Sequence, residues 1–496
     1  MKLFVIWPEK SLELVKMLLE FEKHGQEIVY WVGHDDSEAY RFPKTIFHSY
    51  LDAVKAKPAA GVAVSEFLPL DTDLIEKLYI TESLILTMLN LLVPESGVSE
   101  RKHLYYEMVQ YWFGVLKKYQ PDAIIFPLVP HYVFDYLIYE LAGLLNIKTV
   151  VFLETRIPGR LFLMNNFWEG SQALQRELEQ NKGKNSVPED LSEDIREYYN
   201  FHLNKNSGFL PPNIRYLKIK HSFIYRIFRN QKIQKSIRDG TFFPKTLNYL
   251  LRELRELKSN PPAFFKILFT PVINFLKWNL KKEYASIQSD PDLNKKFIFL
   301  ALHSQPEQSS SPQGGVFVDQ ILLIETLAAA LPGDWLIYVK EHPAQWLRNG
   351  LNFSPYKYRG YYETMAKIKN VRVVPMNISS YDLIRKSQAV ASVGGAASWE
   401  AVLASKPAII FGYPWYKDCP GVFKVNDVFS CRNALAKIAS GFLAEQQKII
   451  NYLAGLDKAA IRGFISPSSG LDSKVSKEAG MKNITQAILE ELKQIS

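Results

Sequence analysis

Apolar residues recur along this chain in two alternating rhythms. Short runs rich in β-branched and aromatic side chains, Leu3–Trp7, Glu27–Gly33, Asp122–Val129 and Thr149–Glu154, read as strands. Between them, Ser11–His24, His103–Tyr119 and Tyr132–Leu145 place apolar residues three or four positions apart, the spacing of one helix face. Residues 36–100 keep no clear period and are read as mixed helices and loops. From Lys296 the alternation returns, with strands predicted at Phe297–His303, Trp335–His342, Val371–Met376, Ala389–Val393 and Pro407–Tyr413. Phe317, Ile321, Ile324 and Leu327 mark a helix, Trp399–Ser405 opens another ahead of Lys406-Pro407, and Asn483–Ile495 is an amphipathic tail helix. Strands alternating with helices predict a parallel sheet covered on both faces. Two such series predict an α/β chain of two Rossmann-like domains facing a cleft.

The middle of the chain breaks this pattern. Residues 165–213 turn polar and end in Pro211-Pro212, and a basic segment follows, interrupted by Pro261-Pro262. The expected division is therefore a first domain at 1–200, a basic helical insertion or linker at 201–290, a second domain at 291–465, and a tail helix at 466–496.

Composition narrows the class. Hydrophobic residues at 47% and charged residues at 22% suit a folded protein. The net charge of +9 is uneven, because Arg215–Glu283 holds sixteen Lys or Arg against four acidic residues. The remainder, with 44 basic and 47 acidic residues, is slightly acidic. That argues against a nucleic-acid surface and for one local contact with something anionic. Phe264, Phe265, Phe275 and Trp278 would let the basic segment sit at an anionic membrane surface, and packing on the protein itself is the competing reading. Two cysteines, Cys419 and Cys431, and a first apolar run too short for a signal peptide lead to an expected cytoplasmic setting. No stretch reaches the roughly 20 apolar residues of a membrane-spanning helix.

Chemistry in such folds sits just beyond the carboxyl ends of strands, and three constellations fall there. The first is His303-Ser304-Gln305-Pro306-Glu307-Gln308, followed by serines and Gly314-Gly315. Glu307 could act as base or nucleophile, or be a solvated carboxylate in a polar loop. The second is Lys340-Glu341-His342-Pro343, where the proline ends strand pairing and fixes the histidine before it. His342 could bond a phosphate or move a proton, or simply occupy a turn. The third is Ser392-Val393-Gly394-Gly395-Ala396-Ala397-Ser398-Trp399-Glu400, a strand running through small residues into a helix start. A phosphate could rest on that helix end, with Glu400 reaching ribose hydroxyls. A side chain at Gly395 would then exclude the phosphate. A tight strand–helix turn is the alternative.

The order Gln305-Pro306-Glu307, then Lys340-Glu341-His342-Pro343, then Gly395-x-x-x-Trp399-Glu400-Ala401 with Lys406-Pro407 resembles the capsule polysaccharide synthesis family. That family includes bacterial Kdo transferases and is similar in motif to bacterial sialyltransferases. The resemblance covers about residues 296–420, and more weakly Pro127–His131 and Glu154–Arg160. It implies a GT-B-like glycosyltransferase in which the His-Pro motif meets the CMP part of a CMP-sugar. The implied catalytic residues are Glu307 and His342. The implied nucleotide-binding set is Gln305, Lys340, His342, Pro343, Ser379, Ser380, Gly394, Gly395, Ser398 and Glu400. Some Kdo transferases carry an acidic run with a catalytic aspartate after the glutamine, whereas this chain has only Glu307, which leaves the stereochemical outcome and the donor sugar open.

In the first half His131, Arg156 and Arg160 are the acceptor-side candidates, the arginines for an anionic sugar or lipid phosphate. Asp35-Asp36 is read as a solvated turn; with Asp135 it is the fallback for a catalytic carboxylate. No metal-ligand spacing is visible, and neither metal nor cofactor is expected. The expected partners are a nucleotide sugar, a saccharide or glycolipid acceptor of a bacterial surface polysaccharide, and no nucleic acid. A CDP-glycerol-type polyol-phosphate transferase, a UDP-sugar transferase or epimerase, and a non-catalytic assembly or export protein are the competing readings.

Overall fold

β1 (Lys2–Trp7) starts with an exposed lysine and continues with five buried residues, as a strand covered on both faces must. It is an interior strand of a seven-stranded sheet. β2 (Glu27–Gly33) and β3 (Ile46–Ser49) lie on one side of it, β4 (Ala123–Phe126) and β5 (Lys148–Glu154) on the other, all pairing in parallel. β6 (Arg160–Met164) continues the β5 edge in antiparallel register. The second sheet repeats the scheme around β7 (Phe297–Ala301), with β8 (Leu336–Lys340) and β9 (Val371–Val373) on one side. On its other side lie β10 (Ala389–Ser392), β11 (Ala408–Ile410) and β12 (Val422–Lys424), again all parallel. Both sheets thus show the doubly wound order, reversing direction at β1/β4 and at β7/β10, where ligand crevices open. The two Rossmann-like domains expected from the alternation are present.

This computed structural model describes residues 1–203, 279–345 and 357–495, except 35, 91, 94, 95 and 306. Most of the basic segment, with Phe264, Phe265, Phe275 and Trp278, therefore lies outside the described residues, as does Asp35. No helix among the described residues is long and apolar enough to cross a membrane.

Local signals explain the helices. Ser11 accepts the Leu14 N–H at 3.2 Å and starts Leu12–Lys23, which buries Leu14, Met17, Leu18 and Phe21 against the first sheet. The polar exit expected at 165–213 contains two helices, Gln172–Gln180 and Glu193–Leu203, the first capped by Ser171.

The expected boundaries near 465 need correction. Helix Gln446–Ala459 packs on Gln172–Gln180, and β13 (Ile461–Arg462) pairs antiparallel with β6 of the first sheet. Helix Lys477–Ile495 lies on Leu12–Lys23, burying Met481, Ile484, Ile488 and Leu492 in the first domain's core. After the second sheet the chain returns to the first domain. Periodicity marks a buried helix face but not the sheet that covers it.

Candidate active site

A cavity of about 420 Å³ lies between the two sheets, beyond the carboxyl ends of β4 and β5 on one wall and β7, β10 and β11 on the other. Glu307 is on the second wall. Its carbonyl accepts the N–H groups of Ser310 and Ser311, both at 3.0 Å, and the Ser310 hydroxyl at 2.9 Å. This turn fixes the Glu307 backbone after β7, and the half-buried carboxylate lines the cavity.

Beside it β10 ends in Gly394-Gly395, and helix Ala396–Leu403 begins. The Gly395 N–H donates to Ser392 Oγ at 3.0 Å, and the Tyr416 hydroxyl donates to the Gly395 carbonyl at 2.6 Å. No side chain caps the helix. Its first amides and the positive end of its dipole therefore stand at the wall formed by Gly394, Gly395 and Ala396. The turn rests on His303, whose Nε2 accepts the Gly394 N–H at 3.3 Å. A Cβ on Gly395 would lie 3.0 Å from His303 Cε1, so a side chain there runs into the histidine ring.

The first wall carries His131 and Arg156. The Nδ1–H of His131 donates to the Val129 carbonyl at 2.8 Å, so in the neutral ring Nε2 is the nitrogen without a proton. Arg156 is exposed on the wall, and its charge helps depress the buried His303 to about 4, after burial itself as the larger cause. Glu154 braces the rim. It accepts the N–H groups of Ile465 (2.6 Å) and Ser466 (2.9 Å) and the hydroxyls of Ser466 (2.6 Å) and Ser469 (2.8 Å). The returning chain thereby becomes part of the cavity wall.

Five sequence candidates, Glu307, Gly394, Gly395, His131 and Arg156, meet at this cavity. The others do not, each for a visible reason. Arg160 is fully buried, paired with Asp194 at 2.7 Å and Asp457 at 3.2 Å, and joins β6 to two helices rather than facing an acceptor. Burial works against it, yet hydrogen bonds from Ser192 and Arg160 hold the Asp194 carboxyl below its usual range. Gln305 is buried and donates to the Val318 carbonyl at 2.7 Å. Ser398 is buried and shares a 2.7 Å hydrogen bond with Ser392. Asp135 is buried and accepts the Tyr132 N–H at 2.8 Å, capping Val133–Leu144; burial pushes its carboxyl up.

The remaining candidates gather beyond β8. Lys340 donates to the Ile378 carbonyl and to Ser380 Oγ (2.9 Å), and burial brings it down to about 8. Ser379 caps helix Ser380–Lys386 by accepting the Asp382 N–H at 3.3 Å. Glu400 lies close enough to raise the Tyr381 hydroxyl, although burial is the larger cause. His342, followed by exposed Pro343, accepts the Ala344 N–H on Nδ1 at 3.2 Å, which puts the proton of the neutral ring on Nε2. Beneath it the buried Glu341 carboxylate meets Lys357 and Tyr362 and accepts the His342 N–H at 2.7 Å. Among the described residues no cluster of three His, Cys, Asp or Glu could hold a metal ion.

Sequence reasoning did not select His303, Glu154, Tyr416 or the Ser466–Ser469 loop. For His303 and Glu154 a signal existed, since both sit at or just after strand ends within quoted motifs. For Tyr416 and the serine loop none existed.

The Glu307 turn, the glycine turn and the helix behind it occupy one continuous stretch of chain. Residues 308–440 match the capsule polysaccharide biosynthesis protein family. It is the family that the motif order resembles. No curated protein matches the chain. Among solved structures, the β-Kdo 2,7 transferase of Thermosulfurimonas dismutans is 13% identical, covers 77% of this chain and 89% of its own, and gives a TM-score of 0.32. The β-Kdo 2,4 transferase from the same organism is 12% identical over 67% of this chain and 87% of its own, with a TM-score of 0.28. The UDP-GlcNAc 2-epimerase of Neisseria meningitidis is 10% identical over 100% of both chains, with a TM-score of 0.23. Such distant likenesses say nothing of activity.

Proposed function

We propose that this chain is a glycosyltransferase of capsule polysaccharide assembly, moving a sugar from a nucleotide donor to an acceptor hydroxyl. One observation carries the reading: a cavity at both sheet crevices sets Glu307 and an uncapped helix start on one wall against His131 and Arg156 on the other. The acceptor oxygen bonds to the anomeric carbon while the bond from that carbon to the phosphate oxygen breaks. Negative charge develops on the departing nucleotide; the helix start at Gly394–Ala396 is suited to stabilise it, and His342, beyond β8 and outside the cavity, to meet the nucleotide farther along. Glu307 takes the acceptor proton as base, or attacks the anomeric carbon first as nucleophile. Lys340, Ser380 and Glu400, gathered beyond β8 and β10, hold the rest of the nucleotide. Arg156 suits an anionic group on the acceptor, a surface polysaccharide or its glycolipid precursor. The motif order favours a CMP-linked donor, with Kdo or a related acid as the sugar. The basic excess in Arg215–Glu283 supports a peripheral contact with anionic lipid, each side chain worth about 1 kcal/mol near such a surface.

Calorimetry with CMP, UDP and CDP, followed by transfer assays with CMP-Kdo, tests this. CMP is expected to bind most tightly, and His342→Ala to weaken both binding and turnover. Equal CMP affinity and rate in His342→Ala would overturn the nucleotide assignment, and so would a bound nucleotide contacting only residues 1–203.

A further inference from the structure

His303 follows β7 and is buried, yet both of its ring nitrogens are engaged, one with the nearby Glu307 loop and one with a turn distant in sequence. Its Nε2 accepts the N–H of Gly394, 91 residues away, at 3.3 Å. Its Nδ1–H donates to Ser309 Oγ at 3.1 Å, two residues beyond Glu307. The ring face also supports the turn, because a Cβ on Gly395 would stand 3.0 Å from Cε1 and 3.1 Å from Nε2. The two bonds have opposite polarity. Only the neutral ring with its proton on Nδ1 makes both, and a proton on Nε2 would face the Gly394 N–H head-on.

We infer that His303 is a positioning residue that locks the Glu307 loop to the Gly394–Ala396 helix start, setting the carboxylate against the donor's phosphate end. This rests on the glycosyltransferase reading for the roles of the two elements, though not for the coupling itself. Burial and the positive charges of Arg156 and Lys357 keep the ring neutral, and neutrality is what the coupling requires. Ser309 and Ser310–Ser311 belong to one turn closed on the Glu307 carbonyl, so a pull on Ser309 is transmitted to the backbone that carries Glu307.

The two bonds can be separated by isosteric halves of the ring. In His303→Asn the amide reaches the Nδ1 position and keeps the Ser309 bond; in His303→Gln it reaches the Nε2 position and keeps the Gly394 bond. Ser309→Ala, a half-buried and mild change, removes the first bond without touching the histidine. Backbone amide exchange on the full chain reads the coupling without any ligand. Ser309→Ala and His303→Gln are expected to speed exchange at Ser310 and Ser311 while sparing 394–396, and His303→Asn to do the reverse. With CMP-Kdo as probe, Ser309→Ala and His303→Gln should lower kcat about 5- to 10-fold, the effect of one lost hydrogen bond, with KM unchanged. His303→Asn should raise KM instead. Unchanged exchange in Ser309→Ala, or the same response from Asn and Gln, would overturn the inference. Absence of nucleotide binding and of sugar transfer in the parent chain with CMP-, UDP- and CDP-linked donors would instead sink the functional reading, and the exchange pattern would stand by itself.

Discussion

Placing one methyl group on Gly395 tests how tightly the turn is seated. Gly395 has φ −83° and ψ 175°, an extended conformation open to any residue, so Gly395→Ala brings no backbone strain. The cost is purely steric. The new Cβ would stand 3.0 Å from His303 Cε1 and 3.1 Å from Nε2, whereas unstrained carbon contacts lie at about 3.5–4.0 Å. His303 cannot swing aside cheaply, being buried and hydrogen-bonded through both nitrogens. Overpacking of this kind costs about 1–3 kcal/mol. At roughly 2–4 °C per kcal/mol for a domain of this size, the expected fall in Tm is about 2–12 °C. Removing the ring should remove the cost. In a His303→Ala background Gly395→Ala is expected to be nearly silent, a coupling of about 0.5–3 kcal/mol between the two sites. Urea or thermal unfolding of the four proteins measures it. Costs that simply add, or a single Gly395→Ala as stable as the parent, would show that the turn does not rest on His303.

Glu307→Gln keeps size but removes charge and basicity, so turnover should fall by about 100- to 10,000-fold with CMP affinity held within a few-fold; an active variant would dismiss Glu307 as the catalytic carboxylate. Arg160→Met leaves Asp194 and Asp457 without their buried partner and should cost about 3–5 kcal/mol in urea unfolding. A loss of acceptor binding at unchanged stability would restore Arg160 to the site. Burial lowers buried His48 from 6.5 to about 4, so between those values the unfolded chain binds the extra proton and stability falls as pH falls. His48→Gln should flatten that slope by up to about 1.4 kcal/mol per pH unit, with no effect above pH 7, and an unchanged slope between pH 4 and 6.5 would count against a neutral buried His48.

The alternation of strand and helix was legible because it is local. Each interior strand of a doubly wound sheet must be apolar on both faces and each helix on one, so the interior strands β1 and β7 stood out in the residue pattern. The two crevices followed from that alternation, and with them Glu307, His131, Arg156 and the Gly394-Gly395 turn, each placed just after a strand. β3, β6, β12 and β13 were not legible. They are edge or near-edge strands of two to five residues, too short to set a period against their surroundings. Which sheet receives each element was likewise decided only in three dimensions. Helix Lys477–Ile495 has an apolar stripe in the sequence, but that it covers the first domain rather than the second depends on matching surfaces hundreds of residues apart. Arg160 shows the same division. An arginine in a post-strand loop reads as a ligand group until Asp194 and Asp457, distant in sequence, arrive to neutralise it. His303 is the converse case: a histidine at a strand end whose value lies in two hydrogen bonds, one local and one 91 residues away. Local order sets the elements because backbone geometry and burial act residue by residue. Long-range packing assigns the side chains because charge pairing, burial and hydrogen bonding depend on neighbours that only the folded chain supplies.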